Sequence, residues 1–196
     1  MRNSLVAVSF LAVLILPAGY VKAAGADAAE GKTVVTDGFK IEIKDKNTGK
    51  TEVLYRGNSE DFLKSVTADS TFTKVFYIKR GRLFLMNTAN KESKQYNLGP
   101  QQKIMYYLSA GISPDGKKLF GVSADLDGGA PNGLWVGEIK KYEEDEEDEY
   151  EGKIVHTEEA FKEGKWRKDS KFIDAELMSD KKVCVDTEKM KIVVSE

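Results

Sequence analysis

Ile112-Ser113-Pro114-Asp115-Gly116-Lys117-Lys118-Leu119-Phe120-Gly121-Val122-Ser123 is the stretch that decides how this 196-residue chain is read. Pro114 presets the backbone for the first central position of a turn, and Asp115 suits the second. The Ser113 hydroxyl can bond the local backbone, and Gly116 supplies a left-handed exit. Apolar residues enter the turn over 106–112 and leave it over 118–123, so the segment predicts an antiparallel hairpin. Beyond a polar loop, 134–139 (Leu-Trp-Val-Gly-Glu-Ile) reads as a further strand, followed by 153–157.

The same punctuation extends outward in both directions. Short segments rich in Val, Ile, Phe and Tyr lie at 32–36, 39–44, 51–55, 63–67, 74–79, 82–86, 94–98, 172–177, 182–186 and 190–194. Gly, Asn, Asp or Lys bounds each of them, and Asp37-Gly38, Asn47-Thr48-Gly49 and Arg80-Gly81 place Gly where antiparallel strands reverse. Helical spacing is sustained nowhere beyond three turns; 59–64 and 157–162 suit a turn or so. The predicted class is all-β.

The strands also repeat as groups. The layout around Ser113 recurs earlier, with Ala68-Asp69-Ser70 at the turn, and later, with Ser179-Asp180-Lys181 in that place. Units are expected at about 32–56, 62–98, 106–160 and 172–196, the first matching only the outer half of a unit. Thr67 and Ser113 are 46 residues apart and Ser113 and Ser179 are 66 apart, the excess lying largely in the loops 124–133 and 140–152. Roughly 40–45 residues with four short strands is the period of propeller blades.

Ile112 to Phe120, then Val122-Ser123 and Leu134-Trp135-Val136, resemble the TolB-type, WD-like β-propeller repeat. The resemblance implies an incomplete or small β-propeller of about three to four blade-like four-stranded antiparallel sheets. In that family such blades occur in periplasmic proteins that bind partners and as noncatalytic propellers attached to serine peptidases. The chain has no room for a peptidase domain and only one clean Ser-Pro-Asp-Gly turn, so the resemblance is to the blade and not to TolB itself. The ring is expected to close with thin terminal blades, to stay an open array, or to form from two chains. Open terminal edge strands invite pairing with another copy.

Composition narrows the function classes. With 30 Lys+Arg against 32 Asp+Glu the formal charge is −2, unlike a basic nucleic-acid binder, and no nucleic-acid partner is expected. One Cys excludes a disulfide scaffold, and one His excludes His-paired metal centres. Arg2, the apolar run 5–16, Pro17 and Val21-Lys22-Ala23 read as a secretory signal peptide over 1–23, its run of twelve too short to span a bilayer. Residues 24–196 form the expected propeller-like domain, secreted or periplasmic, with no membrane span after cleavage. Cys184 reads as a small buried hydrophobe in Lys182-Val183-Cys184-Val185.

Catalytic residues are not recognisable in the sequence. A Ser-His-acid triad would depend on His156, and no Gly-x-Ser-x-Gly elbow presents a nucleophile. Asp125-Leu126-Asp127-Gly128-Gly129 opens like a calcium loop, but Val136 stands at the twelfth position, where a bidentate Glu belongs. No cofactor, metal or catalytic residue is assigned. The binding candidates are Glu143, Glu144, Asp145, Glu146, Glu147, Asp148, Glu149 and Glu151, eight carboxylates in nine residues, together with Trp166 in the basic stretch Lys165-Trp166-Arg167-Lys168. Phe76, Tyr77, Phe84, Tyr106, Tyr107, Phe120 and Trp135 are expected in the core. The expected function is noncatalytic binding of a protein partner through blade loops. The alternatives are a hydrolase or lyase acting on a polysaccharide or lactone at the propeller funnel, and a truncated propeller with no independent role.

Overall fold

The computed structural model describes residues 31–99, 105–124, 133–139 and 152–193, and every regular element in them is a β-strand. The strands form four successive antiparallel meanders. The first contains β1 (Lys32–Thr36), β2 (Lys40–Asp45) and β3 (Thr51–Arg56). The second contains β4 (Leu63–Ala68), β5 (Lys74–Lys79), β6 (Arg82–Asn87) and β7 (Ser93–Tyr96). The third contains β8 (Tyr106–Ile112), β9 (Lys118–Ala124), β10 (Gly133–Glu138) and β11 (Lys153–Val155). The fourth contains β12 (Phe161–Trp166), β13 (Phe172–Leu177), β14 (Lys182–Asp186) and β15 (Lys191–Val193).

Side chains alternate across each sheet, so the middle sheets are apolar on both faces and stack against a neighbour on each side. Three separate cores result, one for each junction between four sheets. Val34, Ile41, Ile43 and Leu54 of the first sheet meet Ala68, Val75, Tyr77 and Met86 of the second. Phe76, Ile78 and Leu83, on the opposite face of that sheet, meet Tyr107, Ala110, Ile112 and Leu119 of the third. Phe120, Val122 and Leu134 then meet Trp166, Ile173, Ala175 and Val185 of the fourth.

The turn between the first and second strands repeats in hydrogen bonds more faithfully than in sequence. Asp69 N donates to Lys74 O and Phe72 N to Asp69 O; Ser113 N donates to Lys118 O and Gly116 N to Ser113 O; Arg167 N donates to Phe172 O and Ser170 N to Arg167 O. The fourth residue of each turn is left-handed: Phe72 at φ 56°, Gly116 at 68° and Ser170 at 58°. A non-Gly residue there costs about 1–2 kcal/mol, which burial of the Phe72 ring offsets. Successive turns are also joined, Ser70 N donating to Pro114 O at 2.8 Å and Asp115 N to Ser170 Oγ at 3.1 Å.

This corrects the expected repeat. Residues 157–162, read as a turn or so of helix, lead into β12, which opens the fourth sheet. The counterpart of Ser113 is therefore Arg167, 54 residues on, while Ser179-Asp180-Lys181 lies in the next turn, between β13 and β14.

The first sheet corresponds to the outer three strands of a blade. Leu63 N donates to Gly38 O as Tyr107 N donates to Gly81 O. Lys46 N donates to Gly31 O as Thr88 N donates to Thr73 O and Thr187 N to Lys171 O. These matches align β1 with the second strands β5 and β13. Among the described residues no strand occupies its inner edge, where the other sheets carry β4, β8 and β12. Packing between sheets runs β1 on β4, β4 on β8 and β8 on β12, and no junction of similar extent returns from β12 to β1 among the described residues.

Candidate binding rim

The meander order sends every second turn of a sheet to one end of the stack. That end holds Asp37-Gly38, Arg80-Gly81 and the turn after Leu177, along with the starts of β4, β8 and β12. The Ser113–Lys117 turn and its counterparts lie at the opposite end. We call the first end the upper rim.

Four of the five large exposed hydrophobic side chains among the described residues lie on the upper rim. They are Phe39, Phe62, Tyr106 and Met178; Phe62 is 50% exposed and Met178 59%. The fifth, Leu108, is the bulged residue two positions into β8. Phe39 and Phe62 meet edge to face at 6.3 Å, and Lys64 Nζ stands 5.8 Å from the Phe62 ring centre. Two glycines let these rings lie on the turns. A Cβ on Gly38, at φ 94°, would stand 3.3 Å from Phe62, and one on Gly81, at φ 76°, would stand 2.7 Å from Tyr106.

Beside this ridge a cleft of about 530 Å³ opens over the Arg80-Gly81 turn, lined by Asp61, Lys79, Arg80, Arg82, Phe84, Gln95 and Tyr106. Its one carboxylate is already engaged. Tyr55 Oη donates to Asp61 Oδ2 at 2.9 Å, and Arg80 Nη2 lies 3.1 Å from Asp61 Oδ1 and 3.1 Å from Glu60 Oε2. The Tyr55 hydrogen bond holds the Asp61 carboxyl below its ordinary range. Burial, then the bond to Asp61, push the Tyr55 phenol up to about 12, so it stays a neutral donor. Lys79 Nζ sits over the rings of Phe84 at 4.7 Å and Tyr55 at 5.3 Å. The Arg82 side chain has no ion-pair or hydrogen-bond partner among the described residues. The cleft thus sets three cations, Lys79, Arg80 and Arg82, and one carboxylate, Asp61, beside two aromatic walls.

The binding residues anticipated from sequence fall elsewhere. Glu143, Glu144, Asp145, Glu146, Glu147, Asp148, Glu149 and Glu151 lie outside the described residues, as do Asp125 to Gly129 and the segment 1–23. Trp166, a binding candidate from its basic stretch, is only 7% exposed. Its Nε1 donates to Gly111 O at 3.1 Å, and its ring meets Phe120 edge to face at 6.1 Å. The basic neighbours Lys165 and Arg167 mark the opposite, solvated side of the strand. Tyr106, expected in the core, forms part of the rim, whereas Phe76, Tyr77, Tyr107, Phe120 and Trp135 are buried and Phe84 is half-buried. His156 is exposed just past β11, and Cys184 is buried, its thiol pushed up by that burial. Among the described residues no group of three or more His, Cys, Asp or Glu is arranged to hold a metal ion, and no helix is long and apolar enough to cross a membrane.

The stacked meanders are similar to solved structures. Hydrazine synthase of Kuenenia stuttgartiensis matches at TM-score 0.58 and 11% identity over 94% of this chain and 51% of that one. The β-propeller domain of Cps50 (Swd1) from Myceliophteria thermophila matches at TM-score 0.58 and 9% identity over 86% of this chain and 55% of that one. The fold is a β-propeller array. TolB from Acinetobacter baumannii matches at TM-score 0.55 and 16% identity over 80% of this chain and 38% of that one, so the likeness to the TolB-type and WD-like blade is one of fold. The chain spans about half or less of the length of these chains. No protein-family model matches the sequence, and no curated protein matches it.

Proposed function

We propose that this chain is a secreted or periplasmic binding protein that holds a protein partner on its upper rim by shape and charge complementarity, without a chemical step. The observation that carries the reading is the gathering of Phe39, Phe62, Tyr106 and Met178 at one end, beside the cationic cleft. Rings surrounded by charged groups are the usual composition of a binding surface's centre and edge. The signal-like segment 1–23 supports export, and the TolB-type resemblance supports partner binding in an envelope compartment. The acidic run 143–151 supplies long-range steering toward a basic surface.

The test is capture by residues 24–196 from an extract of the native envelope, run in parallel with Phe62→Ser/Tyr106→Ser and with Lys117→Ser at the opposite end. The reading expects the rim variant to lose the captured protein and the Lys117 variant to keep it. Equal capture by all three would remove the rim from the account.

A further inference from the structure

Charged residues that face one another across paired strands mostly combine opposite signs in this fold: Lys32 with Asp45, Lys118 with Glu138, Glu176 with Lys182 and Asp186 with Lys191. Three pairs among the described residues combine like signs instead, which is destabilising unless something offsets it. Lys40 faces Arg56 and Glu163 faces Glu176, and each of these pairs carries a neutralising neighbour. Glu42 lies 2.8 Å from Lys40, and Lys162 lies 2.7 Å from Glu176. The third pair is Lys79 with Arg82, which flanks the Arg80-Gly81 turn inside the cleft of the upper rim. Asp61 attracts Lys79 without a direct ion pair, and its two oxygens already engage Tyr55 and Arg80. The Arg82 side chain has no partner among the described residues. Two facing cations are thus held together in a cleft with their charge incompletely matched.

The character of the missing group follows from the lining. Three cations stand there against one carboxylate, a formal excess of +2. Glu60, also bound to Arg80, is outside the lining, and water screens its largely exposed carboxylate. Lys79 and Arg82 offer only donors, so they call for an acceptor with several oxygens. A planar guanidinium fork beside an ammonium suits a phosphate, whose double charge also matches the excess. Tyr106 rests on Gly81, where a Cβ would stand 2.7 Å from the ring, and it remains exposed, so ring surface is open to a flat ligand. The volume of about 530 Å³ suits a small molecule. We propose that the cleft binds a small, ring-bearing phosphomonoester, with the phosphate bridging Lys79 and Arg82 and the ring lying against Tyr106. This site goes beyond the partner-binding reading of the rim and does not depend on it.

Calorimetric titration of the protein at about pH 7.5, where a phosphomonoester is mostly doubly charged, tests the proposal with phenyl phosphate, inorganic phosphate, benzoate and phenol as probes. Phenyl phosphate should bind saturably, roughly threefold or more tighter than inorganic phosphate because of the ring contact. Benzoate, with one charge fewer, should bind more weakly than phenyl phosphate, and phenol should show no saturable binding. Arg82→Gln should weaken phenyl phosphate binding roughly tenfold or more. Its melting temperature in phosphate-free buffer should equal or exceed that of the parent, because the substitution removes a repulsion and breaks no contact. Lys117→Gln, at the opposite end, should bind as the parent does. No saturable binding of phenyl phosphate, equal binding by Arg82→Gln, or equal loss in Lys117→Gln would overturn the site. Benzoate as tight as phenyl phosphate would overturn the phosphate assignment, and inorganic phosphate as tight would overturn the ring contact.

Discussion

Replacing Trp166 with Ala separates the packing account from a surface-binding role for this residue. The indole belongs to the core between the third and fourth sheets, where Phe120, Ile173 and Val185 also lie, and it is 7% exposed. Truncation removes the ring's burial and its edge-to-face contact with Phe120, and leaves Gly111 O without its donor. Loss of a buried Trp costs about 3–5 kcal/mol, cavity included. For a domain of this size that lowers the melting temperature by roughly 6–20 °C. Trp166→Phe keeps much of the volume and forfeits the hydrogen bond, so about 1–3 kcal/mol should be lost. Urea titration followed by far-ultraviolet circular dichroism, with calorimetry alongside, measures both. A Trp166→Ala variant within about 0.5 kcal/mol of the parent, the range typical of uninvolved surface positions, would refute the assignment of this side chain to the core.

Three further outcomes follow from single positions. Gly116→Ala should destabilise by about 1–2 kcal/mol because φ is +68° there, while Ser65→Gly, at φ +47°, should stabilise by up to about 1 kcal/mol; equal effects in denaturant titrations would contradict the turn geometry. Tyr55, raised to about 12 in the fold, keeps its proton between about pH 10 and 12 while the unfolded chain releases it, so stability should fall with rising pH across that window. Thermal melts of Tyr55→Phe should show a shallower fall there, and an unchanged slope would count against the partly buried Tyr55–Asp61 bond. Cys184 should resist a thiol reagent in the native protein and react on unfolding, since burial disfavours its thiolate; rapid native labelling would contradict its placement.

Much of the blade was readable because Ser113-Pro114-Asp115-Gly116 combines the residue chemistry of a turn with apolar strands on both sides. The corresponding turns were obscured by Phe72 and Ser170, which take the left-handed position without being Gly. Strand β12 was hidden for another reason. Lys162, Glu163, Gly164 and Lys165 give it no alternating apolar pattern, and a register shift between Phe161 and Glu163 interrupts the period. Only its terminal residues, Phe161 and Trp166, are buried. The same gap made Trp166 look like a loop residue in a basic stretch rather than the end of a strand.

The rim was less legible than the core. Tyr106 and Phe62 carry no local sign that distinguishes an exposed ring from a buried one, because their exposure depends on neighbouring sheets. A partial signal lay in the glycines: Gly38 and Gly81 each stand within two residues of the strand that follows, and the rings that rest on them come from the start of the next sheet. The cleft draws on residues from 61 to 106, and linear spacing could not assemble it.

A crystal structure of residues 24–196 tests the modular architecture most directly. The account predicts four meanders arranged as an arc, with Ser70 N bonded to Pro114 O and Trp166 Nε1 bonded to Gly111 O across successive sheets. A continuous sheet in which β12 pairs edge to edge with β8, with the three separate cores merged into one, would contradict it.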